Sequence, residues 1–470
     1  MLFSNNISLV SNDTEWKETT EALYKHLRRD SSDITEMLRT QFPKTYYQRR
    51  QLAVVPFVWR VARELAGLYR KPPTRRMIGQ GLTEEVQTRI NSIYKSIDAD
   101  TQMEAALEML VALNNASIWV WPTTFGGVRL LVIPPHHQEW IMADPLSTDT
   151  RDAEFCRIKL PLAVDPDSGL MTWGIAKISA SESVWEKGPQ AVIGKNCFTG
   201  EADPTNPIGR IPAVVVRGGN PDISSGEFWA PANSDLLHAA RTISLTYIDL
   251  LFISSQQGFG QPVVTGIGPM AEELELGPES VISLPDGEAT FSFEHGNPPL
   301  AEYREVAESY LNSCIAMLGL RPDMFLKTAG AVSAVAKEMD YLDRDIERSR
   351  HKVKFEAAEQ QVYDLTRAWI NRLRASGRDA YPEATVKILF HDPQRKIDPL
   401  HYAQSVALQM DRGMTSASVE LAKLEGIPIS EAKRKSKEYL AETMAIKRIT
   451  NPDERLTQGR DTNLEVVSGD

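Results

Sequence analysis

One group of residues in this 470-residue chain has side chains of the types that bind metal ions: His136, His137 and Glu139. Imidazole and carboxylate groups are zinc ligands. Adjacent residues in a chain point in different directions, however, and no second cluster lies at ligand spacing. We therefore expect no metal site and no cofactor here.

A second group is a row of carboxylates within an uninterrupted, charged run that begins at Ala334. The acidic members are Asp340, Asp343, Asp345 and Glu347, and the basic residues among and around them are Lys337, Arg344, Arg348, Arg350 and Lys352. Alternating charge along a helix is typical of an exposed, ion-paired face, so we interpret these residues as a solvated surface without a catalytic role.

The common enzyme motifs are absent. The chain has no Gly-x4-Gly-Lys-Ser/Thr phosphate loop, Gly-x-Ser-x-Gly elbow, His-Glu-x-x-His or Cys-x-x-Cys. The segment from Gly266 to Ala271 loosely resembles a dinucleotide loop, but it contains Pro269 and no helix follows it. The sequence predicts no catalytic residues and favours a protein that is not an enzyme.

Charge is distributed unevenly along the chain, which has a net charge of −11. Residues 1–80 hold 14 basic and 8 acidic residues, residues 395–470 hold 12 of each, and residues 81–394 hold 26 basic and 43 acidic residues. An acidic middle would repel nucleic-acid phosphates, which excludes a protein that coats nucleic acid non-specifically. We also expect no membrane contact, because the longest suitable apolar stretch, Leu245 to Ile253, is short and contains Asp249.

The elements that must position any functional residue follow from periodicity. Residues 1–79 are predicted to be helical, with an apolar stripe from Leu52 to Tyr69 and Pro56 as a kink or first-turn residue. Residues 81–231 begin with two helices and continue with strand-like runs, which predicts an α+β domain with a largely antiparallel sheet. The runs are at 117–121, 128–134, 156–162, 171–178 and 211–217.

A helix, a small β module and a second helix follow. The apolar spacing predicts helices over residues 233–257 and 298–318, and three short strands lie between them, the last two joined by a turn at 285–287. Residues 321–333 lack a clean period. From Ala334 to about Ser376 no Pro or Gly interrupts a helix-forming run, which would reach about 65 Å at ~1.5 Å per residue.

This order of elements resembles the portal protein of a tailed bacteriophage, the head-to-tail connector ring. The most specific local pieces are Leu68-Tyr-Arg-Lys-Pro-Pro73, the segment Gly319 to Phe325, and the small-residue run over 329–338. The resemblance implies the following domains: wing 1–231, first stem helix 232–257, clip 258–297, second stem helix 298–320, tunnel loop 321–333, spine helix and remaining wing 334–394, helical crown 395–450 and a disordered tail 451–470.

The resemblance also implies a function and partners. A portal protein is a homo-oligomeric ring of twelve subunits at one capsid vertex, located in the virion and in the host cytoplasm during assembly. Double-stranded DNA enters during packaging and leaves during ejection through its channel. The terminase large subunit docks on the clip and head-completion or adaptor proteins replace it, while the major capsid and scaffold proteins surround the ring.

Site residues follow from the resemblance by position. The tunnel loop facing DNA would contain Arg321, Phe325, Leu326, Lys327 and Thr328, with Lys327 as the first choice for a transient phosphate contact. The stem would make oligomer contacts through Tyr247, Leu251, Tyr310 and Ile315. The clip would dock partners through Val263, Val264, Phe291 and Phe293.

Three other readings remain open at the level of sequence. The first is another phage head or connector protein that forms rings. The second is a metal-dependent nucleic-acid-processing enzyme that uses Asp340 and Asp343. The third is a monomeric scaffold with a coiled-coil arm over 334–376, whose apolar seam would run from Val335 to Trp369 with a gap at 349–352.

Overall fold

The computed structural model describes residues 14–41, 54–79, 82–123, 126–164, 169, 171–222, 226–259, 261–265, 290–294, 300–317, 334–373, 380–391, 399–413, 415–425 and 429–450. The chain divides into two compact units, Met1–Phe390 and His391–Asp470. The helices of the first unit are α1 (Thr14–Leu27), α2 (Ser32–Gln41), α3 (Phe57–Leu65), α4 (Glu84–Ser96), α5 (Ala99–Leu113), α6 (Ser234–Phe259), α7 (Leu300–Met317) and α8 (Ala334–Leu373).

The strands of the first unit pair antiparallel wherever the structure describes a pairing. They are β1 (Thr74–Ile78), β2 (Asn115–Pro122), β3 (Val128–Val132), β4 (Gln138–Met142), β5 (Ala153–Val164), β6 (Met171–Ile178), β7 (Ser183–Lys187), β8 (Ala213–Arg217), β9 (Gln261–Thr265), β10 (Thr290–Glu294) and β11 (Thr385–Leu389). The sheets have the orders β3-β2-β8, β4-β5-β6-β7, β1-β11 and β9-β10. The predicted α+β class with antiparallel sheets is confirmed.

Strand β2 lies at the centre of the unit, and every one of its residues is buried. Because side chains alternate across a strand, Ile118 and Val120 enter one core while Trp119 and Trp121 enter another. The first core contains residues of α1, α3, α5, α6, α7 and α8. The second is rich in aromatic residues and contains residues of the four-stranded sheet. Strand β2 therefore joins two layers of structure.

The predicted apolar stripe from Leu52 to Tyr69 is only partly helical. Helix α3 begins after Pro56 and ends at Leu65, and Ala66 closes it with a backbone hydrogen bond to Ala62. A residue that precedes proline is disfavoured in the helical region, which explains why Val55 stays outside the helix. Tyr69 is nevertheless buried in the first core, so the apolar spacing identified core residues beyond the end of the helix.

The predicted helix, β module and helix are present as α6, the β9–β10 pair and α7. The predicted middle strand of the module lies outside the described residues. The predicted long helix is present as α8, whose 40 residues reach about 60 Å at the standard rise. Among the side chains of α8 that the structure describes, Phe355, Val362 and Trp369 are buried in the core, whereas no residue from 345 to 354 is buried.

The second unit is helical in the part of it that the structure describes. Its helices are α9 (Pro399–Asp411), α10 (Ala417–Glu425) and α11 (Ile429–Thr450). Gly413 follows α9 with a φ of 67°, a left-handed conformation that suits glycine after a helix end. The predicted disordered tail, 451–470, lies outside the described residues.

Helix α6 has one property that differs from our expectation. Over Ser234–Ser254 it is long and apolar enough, by length and composition, to cross a membrane. It is also a core helix at its base, where Leu236, Ala240 and Ile243 are buried against the rest of the unit. Its Arg241 forms an ion pair with Asp33 of α2, so the base of α6 is also held by a polar contact within the chain.

Candidate assembly surface

The paired helices α6 and α7 form the part of the chain that the sequence predicts to be an assembly element. Their contact is apolar at the base, where Ala307, Leu311, Cys314 and Ile315 of α7 are buried together with the base of α6. The spacing of these four residues places them on one face of α7. The base of the pair is therefore a fixed part of the first core.

A polar cluster holds the base of α6 to the N-terminal helices. Arg241 donates two hydrogen bonds to Asp33, at 2.9 Å from Nε and 2.6 Å from Nη2, and Nε2 of His26 in α1 lies 3.0 Å from the same carboxylate. Burial alone would raise the pKa of Asp33, but the hydrogen bonds from His26 and Arg241 outweigh burial and hold it well below its usual range. Three helices thus meet at one charged carboxylate.

The far end of the helix pair is exposed. Residues 301–306 of α7 are all exposed, and Val306 retains 66% of its surface, Tyr303 49% and Leu251 of α6 41%. A shallow groove of about 510 Å³ runs along α7 between Glu305 and Ala316. Inside it, Oδ1 of Asn312 is buried with no hydrogen-bond partner among the described residues. Apolar side chains next to an open groove are typical of a surface that a partner covers.

Two of the four predicted stem contacts represent opposite classes, one fully buried and one exposed, and the other two are intermediate. Ile315 is fully buried inside the single chain, so it can hold α7 to its own chain but cannot contact a neighbour. Tyr247 and Tyr310 are partly buried against the first core. Leu251 remains the member that is available for contact between subunits. The sequence did not separate these roles, because helical spacing alone does not show which face meets which neighbour.

The predicted clip residues lie on two paired strands. The register places Val264 opposite Phe291, Val263 opposite Ser292 and Pro262 opposite Phe293. The predicted tunnel loop, with Arg321, Phe325, Leu326, Lys327 and Thr328, lies outside the described residues. Its two flanks, α7 and α8, are the elements described above.

A buried charged cluster that is not evident from the sequence positions α8. Glu359 of α8 is fully buried and accepts hydrogen bonds from Arg75 of β1 and from the hydroxyl of Tyr69. Arg75 also donates a 2.7 Å hydrogen bond to Asp100 of α5 and stacks over the Tyr94 ring. The sequence carried no local signal for this cluster, because strand β1 was itself not predicted.

Two further contacts fix α8 to the sheets. Nε1 of Trp369 donates a 2.9 Å hydrogen bond to the carbonyl of Val120 in β2. Nζ of Lys354 donates hydrogen bonds to the carbonyls of Arg217 and Gly218 at the end of β8. Lys354 therefore anchors α8 to the sheet on the N-terminal side of its buried residues.

The coiled-coil interpretation of 334–376 is wrong for the C-terminal part of α8. Val362, Leu365 and Trp369 belong to the first core of the same chain and cannot form a seam with another helix. Ile346 and Val353, further toward the N-terminus, are exposed. The two exposed apolar residues Ile346 and Val353 are thus the described members of the predicted seam that a partner could still contact.

The candidate metal ligands do not form a site. The rings of His136 and His137 stack edge to face at 4.6 Å, and Glu139 forms an ion pair with Arg157. Burial, with the nearby charges of Lys159 and Lys17, lowers the pKa of His137 to about 4. Among the residues that the structure describes, no group of three His, Cys, Asp or Glu side chains is arranged to hold a metal ion.

The carboxylates of α8 are described only in part. Glu347 pairs with Arg350 one helical turn away, which is the ion-paired surface that the sequence predicted. The side chains of Asp340 and Asp343 lie outside the description. Three basic residues near the N-terminus make contacts within the chain: Arg29 and Arg63 lie over the Trp59 ring, and Arg75 is in the buried cluster.

Comparison with known proteins gives distant structural neighbours only. No protein-family model matches the chain, and no curated protein matches it. Among the solved structures that contain a similar chain are "Neck of empty GTA particle computed with C6 symmetry" and "Virion of native gene transfer agent (GTA) particle". In each, identity is 12%, the TM-score is 0.38, and the alignment covers 84% of this chain and 94% of the other.

Proposed function

We propose that this chain is a structural subunit of a phage-type particle, and more specifically a portal protein that forms the DNA channel at one capsid vertex. The observation that carries the proposal is the α6–α7 pair. Its base is locked into the core by Ile315 and the Asp33–Arg241 ion pair, while its far end exposes Val306, Tyr303 and Leu251. A helix pair built in this way is supported by its own chain and completed by neighbours.

The elements around the pair support the same function. In the sequence, the small β9–β10 module lies between α6 and α7. Helix α8, which has 40 residues, comes after α7. This is the order of stem, clip, stem and spine that a portal subunit needs. In the proposed ring, residues 258–297 dock the terminase and later the head-completion proteins, and residues 321–333 face the channel.

Charge is consistent with a conduit. The chain carries −11 overall, so a ring of such chains would be strongly acidic. Duplex DNA is held mainly through its phosphates, and an acidic lining would let it slide without tight binding. Arg321 and Lys327 are the cations of the proposed loop and would provide the transient contacts. Twelve subunits are proposed from the family resemblance.

Electron microscopy of the purified chain, with mass determination by light scattering, tests the proposal directly. We expect rings with a central channel and a mass of about twelve chains of 52.5 kDa. A ring without a channel would favour another connector protein. A monomer at every concentration would contradict the proposed ring, and a divalent-metal-dependent nuclease activity lost on Asp340→Asn and Asp343→Asn substitution would favour the enzyme reading.

The proposed tunnel loop has its own test. Replacing 325–327 with Gly and Ser residues should leave rings intact and reduce the DNA packaged or retained per particle. The matched control is the same replacement at Pro189 to Ala191, an exposed turn. Loss of the ring in the loop variant would show that the segment is an assembly element instead.

A further inference from the structure

The two-stranded β1–β11 ribbon has one face that the chain leaves uncovered. Its inner face carries Met77 and Val386, which are buried. The six residues of the outer face are all exposed. They are Thr74, Arg76, Ile78, Thr385, Lys387 and Leu389.

This outer face has an internal twofold pattern. Each strand presents threonine, a cation and an aliphatic residue in that order, and the strands run in opposite directions, so Arg76 lies directly opposite Lys387. Ile78 and Leu389 then occupy opposite corners, where they keep 46% and 62% of their surface exposed. Large aliphatic side chains flank a central pair of positive charges.

The central pair is unfavourable in the isolated chain. Like charges directly opposite one another on a ladder destabilise it. No ion pair of Arg76 or Lys387 is found among the residues that the structure describes. An acidic surface placed on this face would relieve the repulsion and cover both aliphatic corners.

The ribbon is closed to partners that would extend it as a further strand. On one edge, the backbone N–H of Met77 donates a 2.8 Å hydrogen bond to Oε1 of Gln87. On the other, Gln360 of α8 accepts from the N–H of Val386 at 2.8 Å and donates to the carbonyl of Ala384 at 3.0 Å. The side-chain amides of Gln87 and Gln360 thus already bond to backbone groups that an added strand would need for pairing. A partner must therefore approach the outer face.

The same pattern decides the type of contact. If two copies met face to face through this ribbon, the twofold pattern would bring four cations together. An isologous contact is thus disfavoured, and a heterologous contact with a different, acidic surface is favoured. Heterologous contacts of one kind generate rings when the rotation closes.

The chain itself offers a surface of the complementary type. The first half of α7 exposes Glu302 and Glu305 beside Tyr303 and Val306. Residues 81–394 as a whole carry 43 acidic against 26 basic residues. A second copy of the chain can therefore supply both the negative charge and the apolar contact that the ribbon lacks.

We propose that the outer face of the β1–β11 ribbon binds an acidic and apolar surface of a second copy of this chain, as one half of a heterologous subunit interface. This proposal rests on the proposed ring. It adds a specific contact, made by Arg76, Lys387, Ile78 and Leu389, to the α6–α7 surface already described.

Charge reversal with a matched control tests the contact. Arg76→Glu with Lys387→Glu should reduce the assembled fraction of the full chain by about tenfold or more, measured by native mass spectrometry at fixed concentration. The control, Lys187→Glu with Lys195→Glu, reverses two exposed lysines elsewhere and changes the net charge equally. Circular dichroism on both variants shows that the chains are folded.

A second measurement, cross-linking of wild-type chains, tests the same contact without the charge-reversal variant. A mixture of ¹⁴N- and ¹⁵N-labelled wild-type chains is assembled and treated with a carbodiimide, which joins a lysine to a carboxylate that it contacts. We expect a mixed-isotope link from Lys387, with α7 as the first place to look. Rings that form equally well in both variants, or that lack such a link, overturn the contact and leave the ring in place. A wild-type chain that never assembles overturns both.

Discussion

Arg75 and Glu359 form a two-point ion pair inside the first unit, with Nε to Oε2 at 3.1 Å and Nη2 to Oε1 at 2.7 Å. They are 284 residues apart in sequence, and Glu359 is fully buried. The pair joins strand β1 to the buried part of the long helix α8. A rotation or shift of α8 along its axis would break both hydrogen bonds, so this pair sets the register of the helix.

Glu359→Gln should destabilise the chain by about 3 kcal/mol, because it leaves Arg75 buried with the partly exposed Asp100 as its remaining carboxylate. Urea denaturation followed by tryptophan fluorescence measures the loss. The double substitution Arg75→Met with Glu359→Leu should cost less than Glu359→Gln alone, since it removes both charges. Equal stability of wild type and Glu359→Gln would show that the pair does not hold the helix.

The Asp33 cluster gives a prediction with a definite pH dependence. The folded pKa of Asp33 is depressed, so its contribution to stability is present above the unfolded value of about 3.9 and is lost as the pH falls below it. Asp33→Asn should therefore destabilise the chain by about 1–3 kcal/mol at pH 7. The difference from wild type should shrink when unfolding is repeated at pH values below about 4.

A constant difference between these two chains across that range would mean that the asparagine acts through packing alone. Asp203→Asn is a suitable control, because Asp203 is exposed and accepts a hydrogen bond from the nearby backbone N–H of Thr205. It should change stability by less than about 0.5 kcal/mol at either pH.

Local sequence determined the long elements of this fold well. Helix α8 was predictable because no Pro or Gly interrupts the run from Ala334, and β6 was predictable because Met171 to Ile178 is apolar and bounded by turn residues. Strands β1, β4 and β7 were missed. Strand β1 holds two adjacent arginines and pairs with β11 more than 300 residues away, so its stability comes from a partner that local patterns do not reveal.

The candidate site was only partly predictable for the same reason. Helical spacing placed Tyr247, Leu251, Tyr310 and Ile315 on apolar positions of two helices, but exposure depends on how the two helices meet. The charged groups that matter most, Arg75, Glu359 and Asp33, look like ordinary surface residues in sequence. Their burial follows from contacts between distant segments, which periodicity cannot supply.

The His136–His137 pair should make the chain sensitive to mild acid. The folded pKa of His137 is depressed to about 4, so its neutral form stabilises the fold above the unfolded value of about 6.5, and that contribution is lost as the pH falls toward 4. His137→Phe keeps an aromatic ring against Trp173. Between pH 6.5 and 4 the free energy of unfolding should fall less for this variant than for wild type, and the difference should reach about 3 kcal/mol. Urea unfolding at several pH values measures this, and parallel curves for both chains would contradict it.

The two classes of predicted stem contact give opposite outcomes when they are mutated. Ile315→Ala opens space in the first core and should cost about 2–4 kcal/mol of unfolding free energy in the single chain. Leu251→Asp changes an exposed position and should alter the stability of the single chain by less than about 0.5 kcal/mol, while it lowers the fraction of chains in rings. Denaturation of dilute protein and native mass spectrometry of concentrated protein separate the two effects. If the Leu251→Asp chain assembles as well as wild type, Leu251 does not contact a neighbouring subunit. The proposal that the far end of the α6–α7 pair is a subunit contact is then wrong.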